Sequence, residues 1–389
     1  MKSGHEENRQ DSDVLDFRSD TVTQMTAEMR AAMATARSAD MLYDEDRYVN
    51  ELEDILAGLF GMECLWTPST TMSNLIGLLL VATGMGCQVL LGKTSHVYAH
   101  DRKNAASVGG VAYHALADER GRITLTDLDN SYTVETEFFP RTVAVVLENT
   151  HNLAGGTAFP PEYLATVSVW ARDRNIAIHL DGARIFNASV SLGVDLRCWG
   201  THGADSIAVS LSKGLGTPAG SALMVKNSRV KQRAKCIRKS LGGTMHTGAG
   251  YLAAAAVSLL KKGYDAGIVC QLDEDHRVAA YFAKRLKGLS HYRLVNNVET
   301  NILYLSHESI AGPALARQLS LHGILASCLA TTSMILRRSE FGSSECSAPI
   351  RFVTHRGLTS AHVDQVIDAL CCIDAQCCNP SMMLRGKDA

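Results

Sequence analysis

From about residue 46 to residue 225 the chain alternates helix-patterned stretches with short runs rich in Val, Ile and Leu, at 89–91, 111–116, 143–148, 176–180, 207–211 and 221–225. Short, continuously apolar runs predict strands buried on both faces, so the alternation predicts a mostly parallel sheet covered by helices on either side. The longest apolar stretch, 75–82, is far short of the roughly 20 residues that cross a bilayer and predicts a buried helix. Beyond Gly242-Gly243 the pattern turns to long helices at 249–262 and 273–288, then to a shorter αβ segment containing 300–305 and 350–354, which reads as a smaller C-terminal lobe. Segment 16–23 has few apolar positions and reads as an arm laid across something else. No solenoid-length repeat and no Gly/Ser-rich or Pro-rich linker separates these parts.

Composition narrows the classes without changing this picture. A length of 389 residues suggests roughly two domains, and a net charge of −2 with 46% hydrophobic and 20% charged residues is ordinary globular chemistry. A general nucleic-acid or anionic-membrane field is excluded by that balance. The first ten residues are polar and acidic, which fits neither a signal peptide nor a transit peptide and reads as a disordered lead on a cytosolic protein. Eleven cysteines, an odd number with no secretory signal before them, are expected to be reduced thiols. The group Cys371, Cys372, Cys377 and Cys378 contains no Cys-x-x-Cys and is expected to be small buried apolar residues plus a frayed tail, not a metal site.

Polar residues gather where the strands end, which is where ligands bind in open α/β sheets. Lys213, between the run 207–211 and Gly214-Leu215-Gly216, places an amine at a strand end, where desolvation lowers its pKa and favours a Schiff base; alone, it reads as a surface lysine in a turn. Asp181, in His179-Leu180-Asp181-Gly182-Ala183-Arg184, puts a carboxylate after a buried strand, as needed to hold a pyridine nitrogen protonated; the bland alternative is a turn pair with Arg184. One helix and one strand separate Asp181 from Lys213, and that spacing favours pyridoxal phosphate. Ser69, Thr70 and Thr71 open a helix and supply a phosphate cradle or a plain N-cap. His96 and His151 at strand ends are candidates to stack on the ring or to take a hydroxyl proton, although each alone is more often a satisfied loop histidine. Arg351 is a candidate carboxylate clamp or an interdomain salt bridge. Dinucleotide, P-loop, His-Glu-x-x-His and Gly-x-Ser-x-Gly patterns are all missing.

Four ordered motifs then resemble one family. Asp16-Phe17-Arg18-Ser19-Asp20-Thr21-Val22-Thr23, Glu148-Asn149-Thr150-His151-Asn152, His179 to Ala188 and Leu211-Ser212-Lys213-Gly214-Leu215-Gly216 resemble the low-specificity L-threonine aldolases, with similarity running from about residue 16 to 370. The resemblance implies the PLP-dependent transferase-like (fold type I) α/β architecture: a large domain with a mostly parallel seven-stranded sheet plus a smaller C-terminal α/β domain. The corresponding division is a lead at 1–15, an arm at 16–45, a large cofactor-binding domain at 46–270 and a small domain at 271–389. It also implies a cytoplasmic homotetramer with active sites shared between subunits, acting on a small amino-acid substrate, with no metal, nucleic acid or membrane involved. Lys213 would carry pyridoxal 5'-phosphate, Asp181 would pair its pyridine nitrogen, His96 would stack on the ring, and Ser69, Thr70, Thr71, Arg184 and Lys239 would complete the cofactor site. Ser19, Arg184 and Arg351 would hold the substrate carboxylate, with His151 near its hydroxyl.

The implied reaction is retro-aldol cleavage of L-threonine or L-allo-threonine to glycine and an aldehyde, with His96, His151 or a water as base. A β-eliminating lyase or an amino-acid racemase would share the core residues, and a lapsed homologue acting as a binding protein is a third reading. The chain departs from the family at rim positions: Thr70 and Asp44 stand where glycine is usual and Arg47 where proline is. His100-Asp101 replaces Tyr-Glu, and His246 replaces an arginine that would lie near the phosphate or carboxylate.

Overall fold

The computed structural model describes residues 14–82, 86–328 and 348–378. After β1 (Leu15–Asp16) come β2 (Glu63–Thr67), β3 (Cys87–Gly92), β4 (Ala112–Leu116), β5 (Arg141–Glu148), β6 (Ala177–Gly182), β7 (Ser206–Ser210) and β8 (Ser221–Val225). Strands β2 to β8 form one seven-stranded sheet in the order β2-β8-β7-β6-β5-β3-β4. It is the expected mainly parallel α/β sheet, with β8 antiparallel to both of its neighbours. Within this sheet, β2 is the strand that the apolar runs do not announce. Its sequence Glu-Cys-Leu-Trp-Thr has no aliphatic repeat, and its order comes from pairing with β8, from Glu63 opposite Val225 to Thr67 opposite Ser221.

The chain continues through β9 (Tyr292–Leu294), β10 (Ile302–His307), β11 (Ile324–Leu325), β12 (Ser327–Cys328) and β13 (Ile350–Val353). A second, antiparallel sheet has the order β12-β13-β10-β9, while β1 pairs in parallel with β11. Leu15, read from sequence as lead, is therefore already strand; residues 1–13 lie outside the described residues. Phe17 anchors the arm, fully buried and edge-on to Phe282 and Phe352 at 6.0 and 5.7 Å.

The apolar stretch at 75–82 lies in the helix Thr70–Val81, which starts earlier than the apolar residues do because Ser69 caps it by accepting a hydrogen bond from Met72 N–H. The two long helices run Gly248–Leu260 and Cys270–Leu286, the second preceded by a π-turn at Asp265–Val269. At the C-terminal end the expected frayed tail is instead the helix Ser360–Cys378, and Cys371 and Cys372 are exposed on it, not buried. Cys64, Cys198, Cys236, Cys270, Cys371 and Cys372 carry free thiols. Among the described residues no helix is long and apolar enough to cross a membrane.

The helix Thr70–Val81 packs on the sheet through Gly77, where a Cβ would lie 2.4 Å from Cε1 of His179 on β6. That closeness brings Asn74, one turn earlier, to the end of β6. Gly77→Ala is expected to lose about 1–3 kcal/mol by overpacking, read as a lower Tm in thermal unfolding.

Candidate active site

Main-sheet strands end on a shared cluster of charges. Glu148 and Asp181 are opposite one another at the ends of β5 and β6, and Lys213 follows β7 in a turn closed by Gly216 N–H donating to Lys213 O at 2.8 Å. Gly216 occupies φ +70, which glycine adopts without strain. Burial, then the positive charge of Arg184, lowers the Lys213 ammonium to about 8 against the pull of Asp20, Asp181 and Glu148. The strand-end amine is thus held nearer neutrality, as a nucleophilic amine requires.

Asp181 is 1% exposed. Its Oδ2 accepts from Asn74 Nδ2 at 2.9 Å and its Oδ1 from Ala183 N–H at 3.1 Å. Asn74 is held in turn by the His179 ring, whose Nε2 lies 3.0 Å from Asn74 Oδ1 while its Nδ1 lies 2.8 Å from Ser206 Oγ. Burial drives His179 down to about 4, so the neutral ring donates from Nε2 to Asn74 and accepts from Ser206. No lysine or arginine is within ion-pair distance of Asp181 among the described residues; only His96 Nδ1 approaches it, at 3.9 Å. The sequence suggests a turn pair between Asp181 and Arg184, but the structure does not form it.

Arg184 instead forks onto Asp20 of the arm, Nε to Oδ2 and Nη2 to Oδ1, both at 2.7 Å. Burial would raise the Asp20 carboxyl, yet the Arg184 charge and hydrogen bonds, with Lys213 and Arg351 beyond, hold it far below the usual range. Arg184 Nη1 and Arg351 Nη1 meet on Asn152 Oδ1, at 3.4 and 2.9 Å. Arg351 also donates to Arg18 O at 2.9 Å, and its buried Nε has no hydrogen-bond partner among the described residues. Among the described residues Arg351 therefore makes no interdomain salt bridge and keeps a donor free for an anion. Ser19 stands beside this pair, its Oγ 3.4 Å from Asp20 Oδ1.

Ser95 caps the single turn His96–Ala99, and His96 N–H donates to Glu148 Oε2 at 2.6 Å. Burial opposes charging of His96, but the Asp101 carboxylate and the charges of Asp181 and Glu148 overcome it and raise its pKa. His151 is 2% exposed, covered by Gly121, where a Cβ would come within 2.4 Å of its ring. Its Nδ1 accepts from Ala154 N–H at 3.1 Å, which puts the proton on Nε2. That Nε2 lies 3.7 Å from Glu148 Oε2 and makes no hydrogen bond.

Ser69 and Thr71 are exposed and Thr70 half-buried at the open end of their helix, one turn from Asn74. Lys239 is not brought to the cluster. It is exposed on the outer helix Ser228–Ser240, where its charge reaches Asp40, and His246 Nδ1 pairs with the same Asp40 at 2.9 Å. Asp44 occupies φ 58 and pairs with Lys235, and Arg47 is the first residue of the helix Arg47–Phe60, where proline fits equally well. The sequence reading missed the partners: Asp20 for Arg184, Asn74 for Asp181 and Asn152 for both arginines. Asp20 and Asn152 lie inside the quoted motifs, but nothing local says which side chain they meet.

Away from this cluster, His291, His307 and Asp374 bring three possible ligand atoms within 4.8 Å of one another. His307 Nδ1 accepts from Ser309 and Ile310 N–H, both at 3.0 Å, so its proton sits on Nε2 and donates to Asp374 at 2.8 Å. A metal would need the lone pair that this arrangement gives to the proton.

Asp20→Asn is expected to strand the buried Arg184 charge at a cost of about 3–5 kcal/mol. Because the folded pKa is depressed, the wild-type advantage is full above the unfolded value of 3.8 and shrinks as pH falls below it. Urea unfolding of both proteins across that range checks the magnitude and the sign.

The beta-eliminating lyase family model matches residues 16–308. The chain is 33% identical to low-specificity L-threonine aldolase 1 of Arabidopsis thaliana over 357 residues, covering 90% of this chain and 93% of that protein. It is 36% identical to the low specificity L-threonine aldolase of Escherichia coli K12 over 314 residues, 80% and 90% of the two chains. A threonine aldolase structure from Leishmania major superposes with a TM-score of 0.77 at 18% identity, covering 92% of this chain and 99% of that one, and so shares the fold. The chain belongs to the beta-eliminating lyase family and, within it, to the low-specificity L-threonine aldolases.

Proposed function

We propose that this protein cleaves L-threonine and L-allo-threonine to glycine and acetaldehyde with pyridoxal 5'-phosphate as cofactor. The observation that carries this reading is the buried Asp181 carboxylate, which has no lysine or arginine within ion-pair distance among the described residues, together with the Lys213 amine lowered to about 8. The donor set fits the cofactor. Lys213 would bind its aldehyde, Asp181 its pyridine nitrogen, and Ser69, Thr70 and Thr71 at the helix N-terminus its phosphate, with His96 against the ring. Lys239 belongs to this set only if the partner subunit or a loop movement brings a phosphate near it. When bound, the cofactor supplies an electron sink for the electrons released at Cα.

The chain's own groups do the rest. Arg351 through Nε, and Arg184, whose Nη1 shares Asn152 Oδ1 with Arg351 Nη1, hold the substrate carboxylate together with Ser19. His151 carries its proton on Nε2, so it donates a hydrogen bond to the substrate hydroxyl oxygen and orients it. The hydroxyl proton then goes to His96, directly or through a water beside it. The Asp101, Asp181 and Glu148 carboxylates raise the His96 pKa against the effect of burial, so they stabilise the proton once it has arrived there.

The homotetramer with shared sites and the cytoplasmic location belong to the same reading, as does a division into a cofactor lobe (46–270) and an Arg351-bearing lobe (271–389). Exposed Tyr43, Met245 and Tyr251 supply apolar surface of the kind subunits cover. The family description favours one second reading, β-elimination at the same site. Protein with its visible cofactor band is expected to release glycine and acetaldehyde in equal amounts, and Lys213→Ala to lose both band and products. Pyruvate with ammonia would establish elimination, a D-amino acid racemisation, and a loaded protein that releases nothing a lapsed homologue.

A further inference from the structure

His96 and His100 stand four residues apart on one turn, the spacing that puts two side chains on the same helical face. His100 N–H donates to His96 O at 2.8 Å, and the imidazole centroids are 4.9 Å apart with the rings tilted by 46°. The two rings face different media. His96 Nδ1 looks inward, 3.5 Å from Asp101 Oδ2 and 3.9 Å from Asp181 Oδ2, both buried. His100 is exposed to solvent.

The groups acting on His100 come from three elements. His96 and Asp101 lie on its own segment, Glu148 at the end of β5, and Arg351 on β13. Burial and then the His96 charge push it below the ordinary histidine value, Arg351 adds to this, and Glu148 and Asp101 oppose it. Its inner partner is shifted the other way. Two imidazoles this close do not readily carry charge together, so the inner ring takes the first proton and the outer ring is left neutral and able to accept one.

We propose that His100 is a positioning residue for proton transfer, the outer half of a two-imidazole relay that exchanges the His96 proton with bulk water. This rests on the cleavage reading above, with His96 as acceptor. The substrate O–H bond breaks as an N–H bond forms on His96. That proton passes through a bridging water to His100 and on to solvent. One proton returns from water to complete glycine at Cα, so the reaction is proton-neutral overall. A side chain that does not titrate near neutrality would leave His96 protonated after each cleavage.

The test uses the holoenzyme with ring-labelled histidine. In NMR titrations the wild-type His100 resonance should titrate below the ordinary value and move up in His96→Phe. In kinetics, His100→Ala and His100→Phe should both lower kcat at neutral pH about tenfold, with KM for threonine within twofold of wild type. Free imidazole should restore the rate of His100→Ala saturably. A structural role would instead be met by the ring of His100→Phe, with no rescue by imidazole. Overturning results are a His100 titration unaffected by His96→Phe, or full activity in His100→Phe. Uncoupled titration in an active enzyme sinks the relay alone. Coupled titration in a loaded wild type that releases no glycine sinks the cleavage reading, and the transfer step with it.

Discussion

The buried pair of Asp20 and Arg184 holds the site together. Both residues are almost wholly removed from solvent and lie 164 positions apart, so the pair fixes the arm against the end of β6. From Arg184 the connection passes to Asn152, from Asn152 to Arg351, and from Arg351 back to Arg18 O on the arm. Tyr304 OH closes the same loop by donating to Asn152 O at 2.7 Å. The main sheet and the second sheet thereby meet on one asparagine, and the arm is tied to both through Arg184 and Arg351. A buried ion pair contributes little net stability when compared with an apolar replacement, but it is costly to break, and here that cost fixes position.

This arrangement also sets the electrostatics. Burial and then the Arg184 charge push the Lys213 amine down, and Asp20, Asp181 and Glu148 oppose them, so the lysine is lowered to about 8. On the other side Asp181 is kept in place by an amide that is itself held by a neutral histidine, with no lysine or arginine at ion-pair distance among the described residues. Gly77 makes that possible, since a methyl group there would displace the His179 ring. These side chains thus provide a fixed carboxylate, a tempered amine and two arginine donors before any ligand arrives, which is the preorganisation a polar reaction centre needs.

Much of this was legible in sequence. The parallel strands announced themselves as short apolar runs; Lys213, Asp181, His96, His151 and Arg184 could be named from their positions after strands, and Arg351 from its place in an apolar run of the smaller lobe. Strand β2 was not legible, because Glu63 to Thr67 becomes a strand only through its partner β8. The tail after Leu370 was misread, since Cys371 and Cys372 continue a helix on its exposed side. For Arg184 the sequence offered only a turn pair with Asp181, as the bland alternative, and gave no sign of its partner Asp20 in the arm.

The sequence by itself determined the fold class, the kinds of chemistry at the strand ends and the family, because periodicity and local motif order are properties of the linear chain. Only the tertiary structure decided which charges face one another. It paired Arg184 with Asp20, gave Asp181 to Asn74, set the His151 proton on Nε2 by pointing Ala154 N–H at Nδ1, and left Lys239 outside with Asp40. Each of these depends on distances of a few ångströms between residues remote in the chain. Packing sets those distances, and local sequence carries no record of them.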